Sequence, residues 1–340
     1  YSVTGVQTCA LPIYPGDLTA MKVSHLPLRQ RGAAVILALL TVALVAGIAA
    51  AAVGDLGVAM DQVQGRHDQA QARQLARGAV DWARNVLADD RRNNAEVDHL
   101  GEAWATRIPP TPVEEGEVSG ELQDMSGRFN LNSLAGGPGG GTPLAGATFL
   151  RLLEQAGASP QEALGLRNAL TDWLDADSTP TLPGGAEIDW YAAQQPPRRP
   201  ANGPLVAVNE LLQIRGFTPA LVARLSPFVA ALPDASSLIN ANTAPPEVLA
   251  AAIEGLTLDT ARVLVAERSR AWYKDTADFT ARLRDRNIES SAQGFDVRSR
   301  YFLATGRAQY GVSMVRMEVL LERPTGQGSA WPVIVWQKLL

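Results

Sequence analysis

The sequence predicts an α+β protein: an N-terminal apolar helix leads into a small antiparallel sheet that is interrupted by a large inserted helical domain. An uncharged apolar run lies near the start, and strand-like patterns occur both before residue 133 and after residue 300. Helical patterns fill most of the chain between them. The 340 residues are 46% hydrophobic and 19% charged, which is typical of an ordered globular protein.

The apolar run extends from Gly32 to Gly54 without a charged residue. A transmembrane helix needs about 20 apolar residues, so we expect residues 33–54 to span a membrane. Basic residues before the run place the N-terminus in the cytoplasm and the rest of the chain outside it. Two alternatives are an uncleaved anchor and a secretory signal that is cut near Ala49–Ala52.

Residues 21–32 have the features of an export leader, because Met21 is followed by several basic residues. We expect residues 1–20 to be a non-native or disordered extension. Cys9 lies in that extension and is the single cysteine of the chain. One cysteine excludes intramolecular disulfides and multi-cysteine metal sites.

Beyond the membrane segment, the apolar residues continue at helical spacing. Ala72, Leu75, Ala79, Trp82 and Val86 are separated by steps of three and four. This predicts an amphipathic helix over residues 55–92 that continues the membrane helix. The alternative is a signal anchor followed by an unrelated amphipathic helix.

The outer part divides into three segments. Residues 93–135 hold the first part of the sheet, with a strand, turn and strand predicted over Glu114–Asn132. A glycine-rich connector at 136–141 leads to the inserted α-domain of residues 142–290, and strands return over residues 291–340. The helices predicted in the inserted domain are Thr148–Gln155, Ser159–Leu174, Val208–Ile214, Pro219–Leu232, Pro245–Glu254 and Thr260–Arg268. The late strands are predicted at Tyr301–Thr305, Val312–Leu321 and Pro332–Gln337.

An acidic loop is the sharpest chemical feature of the sequence. Carboxylate and hydroxyl oxygens recur at alternate positions, as at the start of an EF-hand loop, although Pro180 replaces the turn glycine. Such a donor set suits calcium, since zinc prefers His or Cys and magnesium needs a tighter octahedron. The predicted ligands are Asp175, Asp177, Thr179, Glu187, Asp189 and, on weaker grounds, Asn202. The alternative is a solvated acidic loop without an ion.

The start of the apolar run resembles the cleavage site of a prepilin. Arg29-Gln30-Arg31-Gly32 is followed directly by Ala33, as at a site that prepilin peptidase cuts after Gly32. A helix that is apolar all round and then one-sided is similar to the spine of type IV pilins and pseudopilins. Most of those proteins have a glutamate at the fifth mature position, whereas this chain has Leu37.

In lacking this glutamate and in several sequence blocks, the chain resembles the general secretion pathway protein K family. Members of this family are the large minor pseudopilins of type II secretion. The blocks are Asp98–Ala105, Gly127–Asn132, Asp172–Asp177, Gly184–Glu187, Glu210–Leu212 and Asn240–Ala244. The resemblance implies a pilin-like body with a large α-domain insertion, structural calcium, and a place at the pseudopilus tip with other minor pseudopilins. It also implies a single pass through the bacterial inner membrane, with the C-terminal domain in the periplasm.

Residues 239–283 resemble helix-hairpin-helix repeats, which aim backbone amides at DNA phosphates. Thr257 stands where the second hairpin glycine belongs, and Arg215-Gly216-Phe217-Thr218 departs in the same way. We therefore expect this packing, of the SAM-like kind, without nucleic-acid binding, which the net charge of −5 also disfavours. A membrane-anchored DNA receptor and a membrane-anchored calcium-binding periplasmic protein are the alternative functions.

Catalysis is not expected. Only His67 and His99 follow the membrane segment, and neither stands in a motif with a nucleophile. The carboxylates of the acidic loop are spaced along the sequence like the ligands of a metal-binding loop, and we do not expect them to act as the acid and base pair of a hydrolase.

Overall fold

The computed structural model describes residues 31–93, 96–135, 142–290, 292–324 and 331–340. Two compact units divide the chain: the first ends at Gln64, and the second comprises Gly65–Leu340. The predicted extension, the leader up to residue 30 and the glycine connector at 136–141 lie outside the described residues.

The helices and strands alternate in the order that an interrupted sheet requires. The helices are α1 (Arg31–Asn93), α2 (Pro143–Gln155), α3 (Pro160–Leu174), α4 (Ile188–Ala192), α5 (Pro219–Leu225), α6 (Pro246–Ala252), α7 (Leu258–Arg268) and α8 (Thr276–Arg284). The strands are β1 (Ile108–Val113), β2 (Gly116–Asp124), β3 (Phe129–Asn130), β4 (Val229–Ala230), β5 (Ile239–Asn240), β6 (Phe295–Asp296), β7 (Tyr301–Tyr310), β8 (Ser313–Glu322) and β9 (Val333–Leu339).

Helix α1 is continuous across the predicted membrane segment and the predicted amphipathic segment. Every large apolar side chain between Val35 and Val58 is at least 58% exposed. Beyond Gly65 only one face of the helix is buried, because Ala72, Ala76 and Leu87 pack against the sheet. The helix therefore changes from apolar on all sides to apolar on one side, as the sequence predicts.

Within the described residues, β1, β2, β7, β8 and β9 form one antiparallel sheet in that order. Strand β2 pairs along its whole length with β7, from Gly116 opposite Tyr310 to Asp124 opposite Phe302. The helical domain is thus inserted between two neighbouring strands, which confirms the predicted fold class.

The two faces of the sheet have different coverings. Helix α1 covers one face, where an added Cβ on Gly306 would lie 3.4 Å from both the Ala76 carbonyl oxygen and the Ala79 Cβ. The inserted domain packs on the other face through Ala230 and Leu232, beside Tyr301. The sheet consequently joins the helix to the inserted domain.

The sheet includes an edge strand, β1, that the sequence did not predict. Strand β1 contains Pro109, Pro110 and Pro112, which conceal the strand pattern but are tolerated at a sheet edge. The turn falls at Glu114 and Glu115, where Glu115 has a φ of 55°, and β2 runs through Gly120 without a turn. The strand, turn and strand predicted over Glu114–Asn132 correspond to β2, the turn at residues 125–128 and β3, whereas β1 was not predicted.

Helix α5 is shorter than predicted. It ends at Leu225, and β4 follows instead of a helix continuing to Leu232. Pro227 explains the difference, because a proline disfavours helical conformation in the residue before it and provides no N–H.

Candidate functional site

The acidic loop folds into a compact group of carboxylates. Helix α3 ends at Leu174 with Asp175 as its C-cap, and Glu187 lies immediately before α4. One carboxylate oxygen from each of Asp175, Asp177 and Glu187 lies within 4.8 Å of the others. The structure therefore brings together three of the six predicted metal ligands.

Several oxygens of this acidic loop are buried without a donor. Glu187 is 4% exposed. Among the described residues, neither of its carboxylate oxygens accepts a hydrogen bond, and the same holds for Asp175 Oδ1 and Asn202 Oδ1. Buried polar atoms are normally satisfied, because leaving one unpaired costs about 1–3 kcal/mol. An oxygen-only set of unsatisfied atoms suits a hard cation such as calcium.

The carboxylates also disfavour one another's charge. Burial raises the pKa of Glu187 to about 7, with a smaller contribution from the negative charges of Asp172, Asp175 and Asp177. Burial and the same kind of repulsion raise the pKa of Asp175. No ion pair to Asp175, Asp177 or Glu187 is found within the described ranges. A bound cation would remove this repulsion.

Two residues that the sequence did not indicate as site residues shape the loop. Buried Asp172 accepts a hydrogen bond from the Thr181 amide at 3.1 Å. An added Cβ on Gly185 would lie 2.2 Å from Asp172 Oδ2, so this position requires glycine. The hydrogen bond to Asp172 and the requirement for glycine at position 185 both arise from tertiary contacts. The spacing of the predicted ligands along the sequence does not reveal such contacts.

The remaining predicted ligands have different surroundings. Asn202 donates from Nδ2 to the Asp177 carbonyl at 3.0 Å, and its buried Oδ1 is unpaired. Thr179 is exposed, and its amide donates to Asp177 Oδ1 at 2.7 Å. Asp189 is exposed in the first turn of α4 and lies outside the group of three, because two residues along a helix turn a side chain by about 200°.

A second acidic group, Asp90, Asp98 and Glu102, also has oxygens within 4.8 Å of one another. Arg323 already neutralises part of this negative charge, since its guanidinium forms ion pairs with both Asp90 and Asp98. We therefore assign it to structure rather than to metal binding.

The helix-hairpin-helix-like segment uses its polar groups internally. The Thr257 side chain caps α7 by accepting from the Thr260 amide at 3.2 Å. The buried guanidinium of Arg268 donates to the carbonyls of Ala241 and Ala244, both at 2.6 Å. Arg262, Arg282 and Arg286 form ion pairs with acidic residues of the same segment.

The predicted processing residues, Gly32 and Ala33, lie in the first turn of α1. Ala33 is exposed, and Leu37 is 61% exposed. Cleavage between Gly32 and Ala33 stays a prediction.

Comparison with known proteins identifies the family. The model of the family described as type II secretion system (T2SS), protein K, matches residues 127–234 and 239–298. Type II secretion system protein K of Klebsiella pneumoniae is 33% identical over 90% of this chain and 95% of its own length. This chain belongs to the type II secretion system protein K family. The Pseudomonas aeruginosa protein K is 35% identical, over 83% of this chain and 85% of its own length.

A solved structure supports the fold of this protein K. It is a chain in the crystal structure of the GspK-GspI-GspJ complex from the type 2 secretion system of enterotoxigenic Escherichia coli. The TM-score is 0.73 with 24% sequence identity, and the match covers 82% of this chain and 99% of that chain. The interrupted sheet and its inserted α-domain are thus the fold of a protein K.

Proposed function

We propose that this protein K is a minor pseudopilin that starts or caps the tip of the type II secretion pseudopilus. In this proposal α1 anchors it in the bacterial inner membrane, the part beyond Gly65 lies in the periplasm, and its role is assembly, not catalysis. The partners are other minor pseudopilins, as in the GspK-GspI-GspJ complex that contains its structural neighbour.

The observation that carries this proposal is the two-part character of α1. Its first half exposes apolar side chains from Val35 to Val58, which water does not tolerate but a bilayer does. Its second half buries one face against a sheet that also holds the inserted domain. One continuous helix therefore contains both the proposed membrane anchor and the face that packs on the sheet.

Leu37 favours a terminal position in the fibre. A carboxylate in lipid is stable only when it is paired, and a subunit at the tip has no neighbour above it to supply a partner. An apolar residue at this position avoids that cost. We further propose that prepilin peptidase cuts after Gly32 and that the new terminus at Ala33 is methylated.

Co-purification tests the assembly role. The tagged full-length chain would be produced in membranes together with the other minor pseudopilins of its own host. We expect a stoichiometric complex in detergent extracts. Recovery of this chain alone, while the other subunits associate with each other, would contradict the proposal. Salt-dependent retention of DNA by the same preparation would instead favour the DNA-receptor alternative.

We also propose that the acidic loop binds calcium as a structural ion. Asp175, Asp177 and Glu187 would hold it, because one carboxylate oxygen from each converges with the others. The side-chain oxygen of Asn202, which is buried without a donor among the described residues, would join them. The ion would offset both the burial of Glu187 and the repulsion from neighbouring carboxylates, which together raise its pKa. Its contribution would be to the stability of the inserted domain.

A chelator experiment tests the calcium site. Removing calcium should lower the melting temperature of the protein, since an ion present at 100 times its Kd stabilises the folded state by about 2.7 kcal/mol. Asp177→Asn should abolish the response to calcium, whereas Asp189→Asn, the matched control outside the group, should retain it. A melting curve that chelator leaves unchanged, or an equal loss in both variants, would refute the site.

A further inference from the structure

A cleft of about 400 Å³ lies between the first turns of α3, the Gly184 loop and the start of α5, and none of Asp175, Asp177 and Glu187 lines it. Gly157, Gly165, Gly184 and Gly216 form part of its wall. An added Cβ on Gly184 would lie 2.5 Å from the Gly165 Cα, so two chain segments approach here as closely as only glycine permits.

Two arginines line this cleft and are held in place by main-chain carbonyls. Arg215 donates from Nη1 to the Gly185 carbonyl at 3.0 Å, and its guanidinium lies over the Trp190 ring. Arg224 donates from Nε to the Ala156 carbonyl at 2.6 Å. Each of these hydrogen bonds uses one of the five N–H groups of a guanidinium, so other N–H groups of Arg215 and Arg224 remain available to a ligand.

Both guanidinium groups are without an acidic partner in the part of the chain that the structure describes. Among the described residues, no acidic side chain lies within ion-pair distance of Arg215 or Arg224. The acidic lining residue, Glu162, is engaged at the start of α3, where Ser159 donates to it from both its amide and its hydroxyl. Hydrogen bonds from Ser159 lower the pKa of this carboxylate, so it stays ionised. The two lining arginines outnumber this single negative charge.

The size and lining of the cleft indicate its ligand. An arginine fork matches the two oxygens of a carboxylate, and the cleft is much larger than one carboxylate needs, since a water occupies about 30 Å³. Leu166 and Leu221 form the apolar part of the lining, and four glycines leave the neighbouring backbone uncovered by side chains. We propose that this cleft binds an acidic side chain of an extended peptide segment from another protein, with Arg215 and Arg224 as the carboxylate anchors.

Calorimetry with short peptides tests this inference. The probe is a blocked peptide with one glutamate flanked by alanines, titrated into the detergent-solubilised full-length protein, and the same peptide with glutamine is its neutral match. We expect the glutamate peptide to bind at least about tenfold more tightly, because the charge-assisted contacts are lost in the glutamine peptide. Equal affinity for the two peptides, or equally tight binding of inorganic sulfate, would overturn the assignment.

Variants separate binding from folding. The double variant Arg215→Gln, Arg224→Gln should lose about tenfold in affinity for the glutamate peptide, while Arg270→Gln, at an exposed arginine outside the cleft, should be unchanged.

Because the anchored arginines also support the fold, Glu162→Gln provides a test in the opposite direction. Removing its negative charge should tighten peptide binding, and weaker binding would contradict the proposal. The inference is independent of tip assembly, so co-purification with other subunits would persist if peptide binding failed.

Discussion

Arg323 joins three parts of the molecule through one buried guanidinium. It pairs with Asp90 near the end of α1 and with Asp98 in the segment that follows, and it donates to the Ser299 carbonyl before β7. Burial raises the pKa of Asp98 to about 6, and the nearby positive charge of Arg323 opposes that shift. Losing this arginine would leave the carboxylates of half-buried Asp90 and buried Asp98 without their shared positive partner.

We expect Arg323→Met to lower the free energy of unfolding by about 3–5 kcal/mol, because breaking a buried pair leaves an uncompensated charge. Urea denaturation of the detergent-solubilised protein, followed by tryptophan fluorescence, measures this change. Adding Asp98→Asn to the Arg323→Met variant should recover part of the lost free energy of unfolding, because the uncompensated charge is then removed.

Arg316→Met is the matched control for this experiment. Arg316 pairs with Glu318 at the surface, with side chains 43% and 21% exposed, and such pairs contribute at most about 1 kcal/mol. A loss in Arg323→Met no larger than that in Arg316→Met would show that the buried pair has no special role.

The predicted metal ligands illustrate what could be predicted at the scale of single residues. Alternating oxygen donors indicated Asp175, Asp177 and Glu187, and these three do converge. Asp172 and Gly185 were not predicted, because their importance comes from a contact between α3 and the loop that sequence spacing does not encode.

At the scale of elements, α1 is fastened to the hairpin between β7 and β8. Asp68 is buried, and its Oδ2 accepts from the Val312 amide at 3.3 Å. Gly311 makes this contact feasible, since its φ is +52° and an added Cβ would lie 2.3 Å from Asp68 Oδ2.

Gly311→Ala should therefore destabilise the protein by at least about 1–2 kcal/mol, the usual cost of a left-handed conformation in a non-glycine residue. The contrasting variant is Gly78→Ala, in the exposed face of α1, where an added Cβ meets nothing within 4 Å. It should stabilise the helix by up to about 1 kcal/mol. Thermal melting of both variants compares the two effects, and a shift of the same sign in both would contradict this description of the hairpin.

Elements with strong periodicity were predictable, and elements shaped by tertiary contacts were not. The predicted helix Ser159–Leu174 agrees with α3, whose start is marked by Ser159 and Glu162 in a capping box. Strand β1 was missed because its prolines are acceptable only at a sheet edge, and edge position depends on the whole sheet. Strand β4 was missed because two residues that pair with β3 carry no periodic pattern.

At the scale of the whole molecule, the insertion between β2 and β7 explains how a small sheet supports a large outer domain. A polar network joins the two parts: Asn240 donates to Ser299 Oγ at 2.6 Å, and Thr243 and Ser299 both donate to Asp124 at the end of β2. Burial raises the pKa of Asp124, and the two hydroxyl donors favour its ionised form. An added Cβ on Gly127 would lie 2.5 Å from Thr243 Oγ1, so the backbone approaches closely at the same joint.

This architecture suits the proposed position at the end of a fibre. The inserted domain, residues 142–290, and the sheet share contacts through Ala230 and Leu232, so the outer part is held to the sheet that packs on α1. We expect a subunit with so large an insertion to be accommodated more readily at a tip than within a thin helical stack.

The N-terminus of the protein extracted from its own membranes tests the central claim most directly. The account predicts that intact mass and N-terminal sequencing place it at Ala33, with the leader removed after Gly32. Protein that retains the leader in cells with active prepilin peptidase, or that begins near Ala52 as a secretory signal would require, would contradict the assignment of α1 as a pseudopilin stem.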